Sequence, residues 1–373
     1  MIKRILEQVI PEEFRRRKVI VLLGPRQVGK TTLLNMLAPT GRKTLTLNCD
    51  DQDDARLIEE KTTTELRALL MPYDMVFIDE AQRVRNIGLV LKKIGDLKLD
   101  TQVIVTGSSS LALADDVNEP ATGRLIEHLM FPLSLAEMAA ETSEREERRM
   151  LEQRLIYGLY PEVVTDPAAA KQTLVGLANN YLYKDLLTYR GIKKPDVLQK
   201  LVRALALQMG SEVAYNELSN LLGIDKETVE NYIDLLEKCF VVFRLDSFSR
   251  NLRNEIKKGK KIYFYDNGIR NAVLSNFAPL ELRNDVGALW ENLMMSERVK
   301  RNAYMGSYAQ LYFWRTHDQS EIDLVEDEDG QIRTFEFKWN EKKKARMPQS
   351  FAKNYPGSTF QVITPETYWD FVK

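Results

Sequence analysis

Val19-Ile20-Val21-Leu22-Leu23-Gly24-Pro25-Arg26-Gln27-Val28-Gly29-Lys30-Thr31-Thr32-Leu33-Leu34-Asn35-Met36-Leu37 runs a five-residue apolar strand through a glycine-bounded loop into an amphipathic helix. Residues Gly24 to Thr31 fit G-x-x-x-x-G-K-[ST], and the strand before them and the helix behind them supply the context that pattern needs. Glycines let the backbone curl so that successive N–H groups point at phosphate. The helix N-terminus adds its partial positive charge. Gly24, Pro25, Arg26, Gln27, Val28, Gly29, Lys30, Thr31 and Thr32 are therefore the expected nucleotide cradle, with Lys30 on the β/γ-phosphates and Thr31 on Mg²⁺.

Moving outward, Met75-Val76-Phe77-Ile78-Asp79-Glu80 is an apolar strand ending in two carboxylates, about 50 residues after the loop. Asp79 is expected to hold Mg²⁺ through water and Glu80 to orient and deprotonate the attacking water. Val103-Ile104-Val105-Thr106-Gly107-Ser108-Ser109-Ser110 is a further strand that ends in small hydroxyl residues, so Thr106 or Ser108 is expected to sense the γ-phosphate or the water. Gly123-Arg124 is expected to lead into a helical segment, with Arg124 a finger for a neighbouring chain's site. With Lys43-Thr44-Leu45-Thr46-Leu47, these β-branched runs between helical stretches predict an α/β fold, a parallel sheet covered on both faces.

The segments GPRQVGKTTLL, MVFIDEAQ, VTGSSS and GRLIEHLMFPLSLAEM together resemble the prokaryotic AAA-superfamily ATPases that carry a C-terminal domain of unknown function, DUF4143. Tyr157-Gly158-Leu159-Tyr160-Pro161-Glu162 and Tyr181-Leu182-Tyr183-Lys184-Asp185-Leu186 are similar to the helical segment of the same proteins. The resemblance implies an AAA+ fold, ATP with Mg²⁺, and assembly as a homo-oligomer, a hexameric ring being one form.

The chain has 373 residues, room for two or three domains, and it divides into three stretches: 1–140, the P-loop domain; 141–280, mainly helical; and 281–373. Within the middle stretch, residues 198–266 have the cadence of a winged helix. Asn216 to Ile224 and Asp225 to Lys238 form a helix-turn-helix with Gly223 in the turn, followed by strands at Phe240–Leu245 and Lys261–Tyr265. The second helix carries Asp225, Glu227, Glu230, Asp234 and Glu237, which a major groove would repel. Arg250, Arg253, Lys257, Lys258, Lys260 and Lys261 lie between or at the strands, so DNA is the expected partner, held by wing contacts to phosphate. A protein–protein module is the competing expectation.

At the C-terminal end, Glu291 lies on a helix, Asp323 on a strand, and Glu336 and Lys338 two apart on another strand and hence on one face. This order resembles the PD-(D/E)xK nuclease fold, a small α/β restriction-endonuclease-like domain. It implies a metal held by Glu291, Asp323 and Glu336, with Lys338 beside the attacking water.

Lys and Arg total 53 against 54 Asp and Glu, a net charge of −1, so no global basic field draws in nucleic acid and any such contact must be local. Two cysteines are too few for a disulfide framework or a zinc cluster. The opening residues carry no apolar run behind Lys3 and Arg4, and no uncharged stretch reaches the ~18 residues of a membrane helix. The expectation is a cytoplasmic ATPase, a DNA-directed motor or remodeller. The alternatives are a nucleotide-gated switch on a protein partner and an ATP-gated nuclease.

Overall fold

The structure is a computed structural model that describes residues 2–38, 41–108, 123–182, 194–249, 259–316, 318, 320–342 and 345–373. The chain packs as two compact units. One comprises Met1–Leu133 with Lys238–Phe240, and the other Ser134–Glu237 with Val241–Lys373. Among the described residues no helix is long and apolar enough to cross a membrane.

The first unit is built on five parallel strands: β1 (Val19–Leu23), β2 (Thr44–Asn48), β3 (Met75–Asp79), β4 (Gln102–Gly107) and β5 (Leu125–Leu129). Their spatial order is β2-β3-β4-β1-β5. Every residue of β1, β3 and β4 is buried, as expected of central strands with helices on both faces, whereas β2 and β5 at the edges are only half covered. The parallel sheet expected from the sequence is therefore present. One element differs. The residues after Arg124 form a strand, β5, not a helix. Leu125-Ile126-Glu127-His128-Leu129 pairs in parallel with β1, from Val19↔Leu125 to Leu23↔Leu129. Its mixed apolar and polar residues suit an edge strand, and that half-exposure is why its periodicity misleads.

Because β4 lies between β1 and β3, the loop after β1, the acids after β3 and the hydroxyls after β4 all emerge at one edge of the sheet. Open parallel sheets bind ligands at the carboxyl ends of their strands, and that is the edge concerned.

In the second unit a seven-stranded mixed sheet has the order β12-β11-β10-β9-β7-β8-β6. The strands are β6 (Glu212–Val213), β7 (Val242–Ser247), β8 (Lys260–Phe264), β9 (Gln310–Arg315), β10 (Glu321–Glu328), β11 (Gln331–Phe337) and β12 (Thr359–Ile363). The middle and C-terminal stretches thus share one sheet, joined where β7 runs parallel to β9 through Asp246↔Tyr312 and Ser247↔Phe313. Phe248, Trp314, Ile322, Val325, Phe351 and Tyr355 form the apolar cluster at that seam.

The helix-turn-helix is Tyr215–Leu222 and Lys226–Lys238. Gly223 takes the left-handed conformation at φ +65° that the turn requires. The Asp225 carboxylate accepts from the Thr228 amide at 2.7 Å as a cap. Val229, Tyr232, Ile233, Leu235 and Leu236 are the buried face of the second helix. The segment Tyr157 to Glu162 is structural: Gly158, at φ +69°, leaves no room for a Cβ beside Asp266, which accepts from the Leu159 amide at 2.7 Å. Residues 183–186, also quoted for the family likeness, lie outside the described residues.

Candidate functional site

The phosphate loop is shaped by close approach. A Cβ on Gly24 would stand 2.0 Å from the Met130 carbonyl oxygen, so only glycine passes the end of β5 there. Gly29, at φ +95°, turns the chain into the helix Lys30–Leu37. Arg4 braces the loop from behind. Buried to 6% exposure, it donates to the carbonyl of Val28 at 2.7 Å and to that of Phe131 at 2.7 Å. Sequence reading missed this residue, because nothing local marks an arginine as a partner for carbonyls so far along the chain.

Lys30 is buried at 4% exposure, and its ammonium donates to the Gly24 and Pro25 carbonyls at 2.8 Å each, at the mouth of the cradle. Thr31 and Thr32 are exposed at the start of the helix. The Thr31 hydroxyl donates to Oδ2 of Asp79 at 2.7 Å. The other oxygen of Asp79 accepts the Thr106 hydroxyl, and the Glu80 amide donates to that same hydroxyl oxygen at 3.1 Å. Thr106, the middle member, is fully buried. Thr31, Asp79, Thr106 and Glu80 are thus one chain of hydrogen bonds that links the helix Lys30–Leu37 to the ends of β3 and β4.

Glu80 sits at φ +53°, in the left-handed region that few residues other than glycine adopt. Its carboxylate accepts from the Gln82 side-chain amide. The same amide donates to the Ser108 hydroxyl at 2.9 Å, and the Ser108 amide donates back to Gln82 at 3.3 Å. Both hydroxyls expected to report on the phosphate are thus wired to the two acids, Thr106 to Asp79 and Ser108 to Glu80 through Gln82. Ser109 and Ser110 lie outside the described residues. Beside this network Cys49, whose amide donates to the Asp79 carbonyl at 2.9 Å, has its thiol pushed up to about 12 by burial and then by the surrounding acids, Asp54 first. A thiol at that value is a core residue at neutral pH, not a nucleophile.

Arg124 lies elsewhere. It precedes β5, its carbonyl accepts from the Val19 amide at 3.1 Å, and its side chain is ion-paired with Asp96. That is the amino-terminal edge of the sheet, opposite the phosphate loop, so Arg124 is no part of its own chain's site.

Magnesium takes oxygen donors, and the hydroxyl of Thr31 and carboxylate of Asp79 lie in contact at the open end of the cradle. The residues fit the ion. MgATP, when bound, would supply the phosphate chain and the charge that Lys30 and the helix N-terminus are placed to neutralise.

In the second unit the four residues of the nuclease-like pattern do converge. Asp323 and Glu336 face each other across β10 and β11, next to the pair Leu324↔Phe335. A register shift between Ile322 and Val325 places Asp323 in a bulge, a device that re-aims a side chain. Its Oδ2 accepts from the Phe337 amide at 2.8 Å. Burial, then Glu291 and Glu336, push the Asp323 carboxyl well above the usual carboxylate range. Glu291 comes from the helix Val286–Tyr304 and accepts the Tyr263 hydroxyl at 2.7 Å. Lys338 donates to Glu336 at 2.6 Å. Burial works to lower the Lys338 ammonium, but Glu336 and then Asp323 hold it above its ordinary value.

Among the described residues no three His, Cys, Asp or Glu side chains are grouped to hold an ion. A lysine stands among them instead. Lys261 of β8 is ion-paired with Glu321 and lies 3.4 Å from Glu291. Its side chain is 3% exposed. Lys261 is therefore not a wing residue that meets DNA. It is buried at 2% exposure on β8, where it pairs with Glu212 of β6. Lys260 is tied to Asp246 at 2.5 Å. Arg250, Arg253, Lys257 and Lys258 lie outside the described residues. On the helix Lys226–Lys238, Asp234 and Glu237 turn onto Arg244 of β7 at 2.7 and 2.5 Å, while Asp225, Glu227 and Glu230 stay exposed.

Comparison with known sequences agrees with the N-terminal geometry. Residues 16–139 match the AAA domain family, 148–280 the domain of unknown function DUF8612, and 286–367 the domain of unknown function DUF4143. The chain thus carries an AAA domain toward its N-terminal end and a DUF4143 domain toward its C-terminal end. It is 26% identical over 331 residues to an uncharacterized protein of Mycobacterium tuberculosis, covering 87% of this chain and 70% of that one. An uncharacterized protein of Haemophilus influenzae is 24% identical over 287 residues, 74% of this chain and 67% of the relative. Among solved structures, the Walker-type ATPase of Pyrococcus abyssi is similar at a TM-score of 0.49 and 17% identity, over 74% of this chain and 96% of that one.

Proposed function

We propose that the first unit hydrolyses MgATP with Lys30 on the phosphates, Thr31 and Asp79 on Mg²⁺, and Glu80 as the group that orients and deprotonates water, and that this turnover drives action on DNA. The observation that carries the catalytic half is the hydrogen-bonded chain Thr31–Asp79–Thr106–Glu80. It ties the ion's ligands to the base through one buried threonine, so their spacing is set before nucleotide arrives. Phosphoryl transfer leaves the protein little covalent chemistry, and prearranged charge supplies most of the rate.

The DNA half is supported by composition between β7 and β8, where Arg250, Arg253, Lys257 and Lys258 stand against the single acid Glu255. The exposed acids of the helix Lys226–Lys238 oppose base reading, so the contact is with phosphate and is independent of sequence. Assembly of several chains would multiply such weak contacts.

The experiment is phosphate release measured with single-stranded, duplex and four-way DNA. DNA accelerates turnover, and the combined substitution Arg250→Glu, Arg253→Glu, Lys257→Glu and Lys258→Glu removes the acceleration while leaving basal hydrolysis intact. A rate indifferent to every DNA sinks the DNA half. A second reading, a nucleotide-gated switch, draws on the hold of Gln82 on Glu80, which restrains the base. In that case Gln82→Ala raises basal turnover and a protein partner, not DNA, controls the rate.

A further inference from the structure

The carboxylate cluster of the second unit has four acids, Glu291, Glu321, Asp323 and Glu336, and each gives an oxygen to a protein donor. Glu291 Oε1 accepts from the Tyr263 hydroxyl at 2.7 Å and lies 3.4 Å from the Lys261 ammonium. Glu321 Oε1 is ion-paired with Lys261. Asp323 Oδ2 accepts from the Phe337 amide at 2.8 Å, and Glu336 Oε1 from Lys338 at 2.6 Å. Lys338 belongs to the nuclease-like pattern itself. Lys261 does not, for it enters from β8, a strand of the winged-helix stretch that the shared sheet brings to this place.

We propose that Lys261 is the resident cation of this cluster, taking the place a divalent metal would have, and that the nuclease-like domain does not cleave nucleic acid. Three features make the ammonium a fixture. Its side chain is 3% exposed, so it cannot leave for solvent without opening β8. It bridges acids from two different elements, Glu291 on a helix and Glu321 on β10. Its Nζ also lies 5.6 Å from the ring centre of Phe313, an apolar wall that suits an ammonium and offers no ligand to a metal. A hard divalent ion needs about six oxygens, and here one oxygen of each acid is already shared with an N–H or O–H donor, Glu336 Oε2 being a buried oxygen left without one. The cluster then serves as an internal tie between the winged helix and the C-terminal strands.

The test is a Mn²⁺ titration of the full chain followed by electron paramagnetic resonance, in a Lys30→Ala and Asp79→Asn background so that the phosphate loop contributes no ion. With Lys261 native, no stoichiometric Mn²⁺ site is expected, and adding Asp323→Asn changes nothing. With Lys261→Met, one Mn²⁺ per chain is expected, and Asp323→Asn abolishes it. One Mn²⁺ bound to the chain with native Lys261 and lost in Asp323→Asn overturns the proposal. So does a folded Lys261→Met chain that gains no ion. Should Lys261→Met not fold, the comparison with native Lys261 decides alone.

Discussion

Thr31 and Asp79 are in contact at 2.7 Å, a hydroxyl from the first turn of the phosphate-loop helix resting on a carboxylate from the end of β3. The two elements are not neighbours in the sheet, since β4 separates β1 from β3. The contact is possible because Thr106 of β4 holds Asp79 by its other oxygen. Removing this middle hydroxyl is therefore informative. Thr106→Val keeps the shape of the side chain and takes the hydroxyl partner from Asp79 Oδ1 and from the Glu80 amide, at a cost of about 1–3 kcal/mol. Hydrolysis should fall, with the Mg²⁺ dependence shifted to higher concentration, as read from phosphate release over a Mg²⁺ series.

Gly24→Ala tests the geometry of the loop. The added methyl would meet the Met130 carbonyl at 2.0 Å, and backbone cannot rotate away as a flexible side chain would. We expect a loss of about 3 kcal/mol in unfolding free energy, together with loss of ATP binding. Gly123→Ala is the useful control. Its Cβ would meet nothing within 4 Å, and its penalty is confined to the positive φ of 84°.

Arg4→Met should separate bracing from catalysis. Arg4 touches the carbonyls of Val28 and Phe131, behind the loop. Its loss removes two buried hydrogen bonds and loosens the cradle, so KM for ATP should rise more than kcat falls. Lys at this position cannot reproduce the two-pronged contact, and Arg4→Lys should restore little.

In the second unit, acid should act through Asp285. Burial works to raise its carboxyl, but Arg283 and then Arg270 bring it down to about 2. A carboxylate whose folded pKa is depressed contributes stability that is present above its ordinary value and lost as pH falls toward the folded one. The contribution is about 1 kcal/mol after allowance for solvent screening. It should disappear between pH ~4 and ~2. Denaturant midpoints of native and Asp285→Asn chains should accordingly differ at neutral pH and converge over that interval.

The phosphate loop and the acids of β3 were legible because their signals are local. Strand, loop and helix adjoin in sequence, and Asp79-Glu80 ends a strand whose residues are all buried. What stayed hidden depends on pairing between distant segments. Lys261 reads as one more base in a basic run, and only the folded chain brings it onto Glu291 and Glu321 from elements far along the sequence. The junction of β7 with β9 likewise rests on two residue pairs that no periodicity announces. The residues after Arg124 read as a helix and form a strand instead, because β5 is an edge strand with a mixed pattern.

The central claim is that Glu80 activates water in a site otherwise built to bind MgATP. Glu80→Gln preserves size and the contact with Gln82 but removes the basic oxygen. Single-turnover hydrolysis beside ATP affinity, measured on the same preparation, tests it most directly. The account predicts affinity within a factor of about two of the native chain and turnover reduced about 100-fold or more. Native turnover in Glu80→Gln would contradict it.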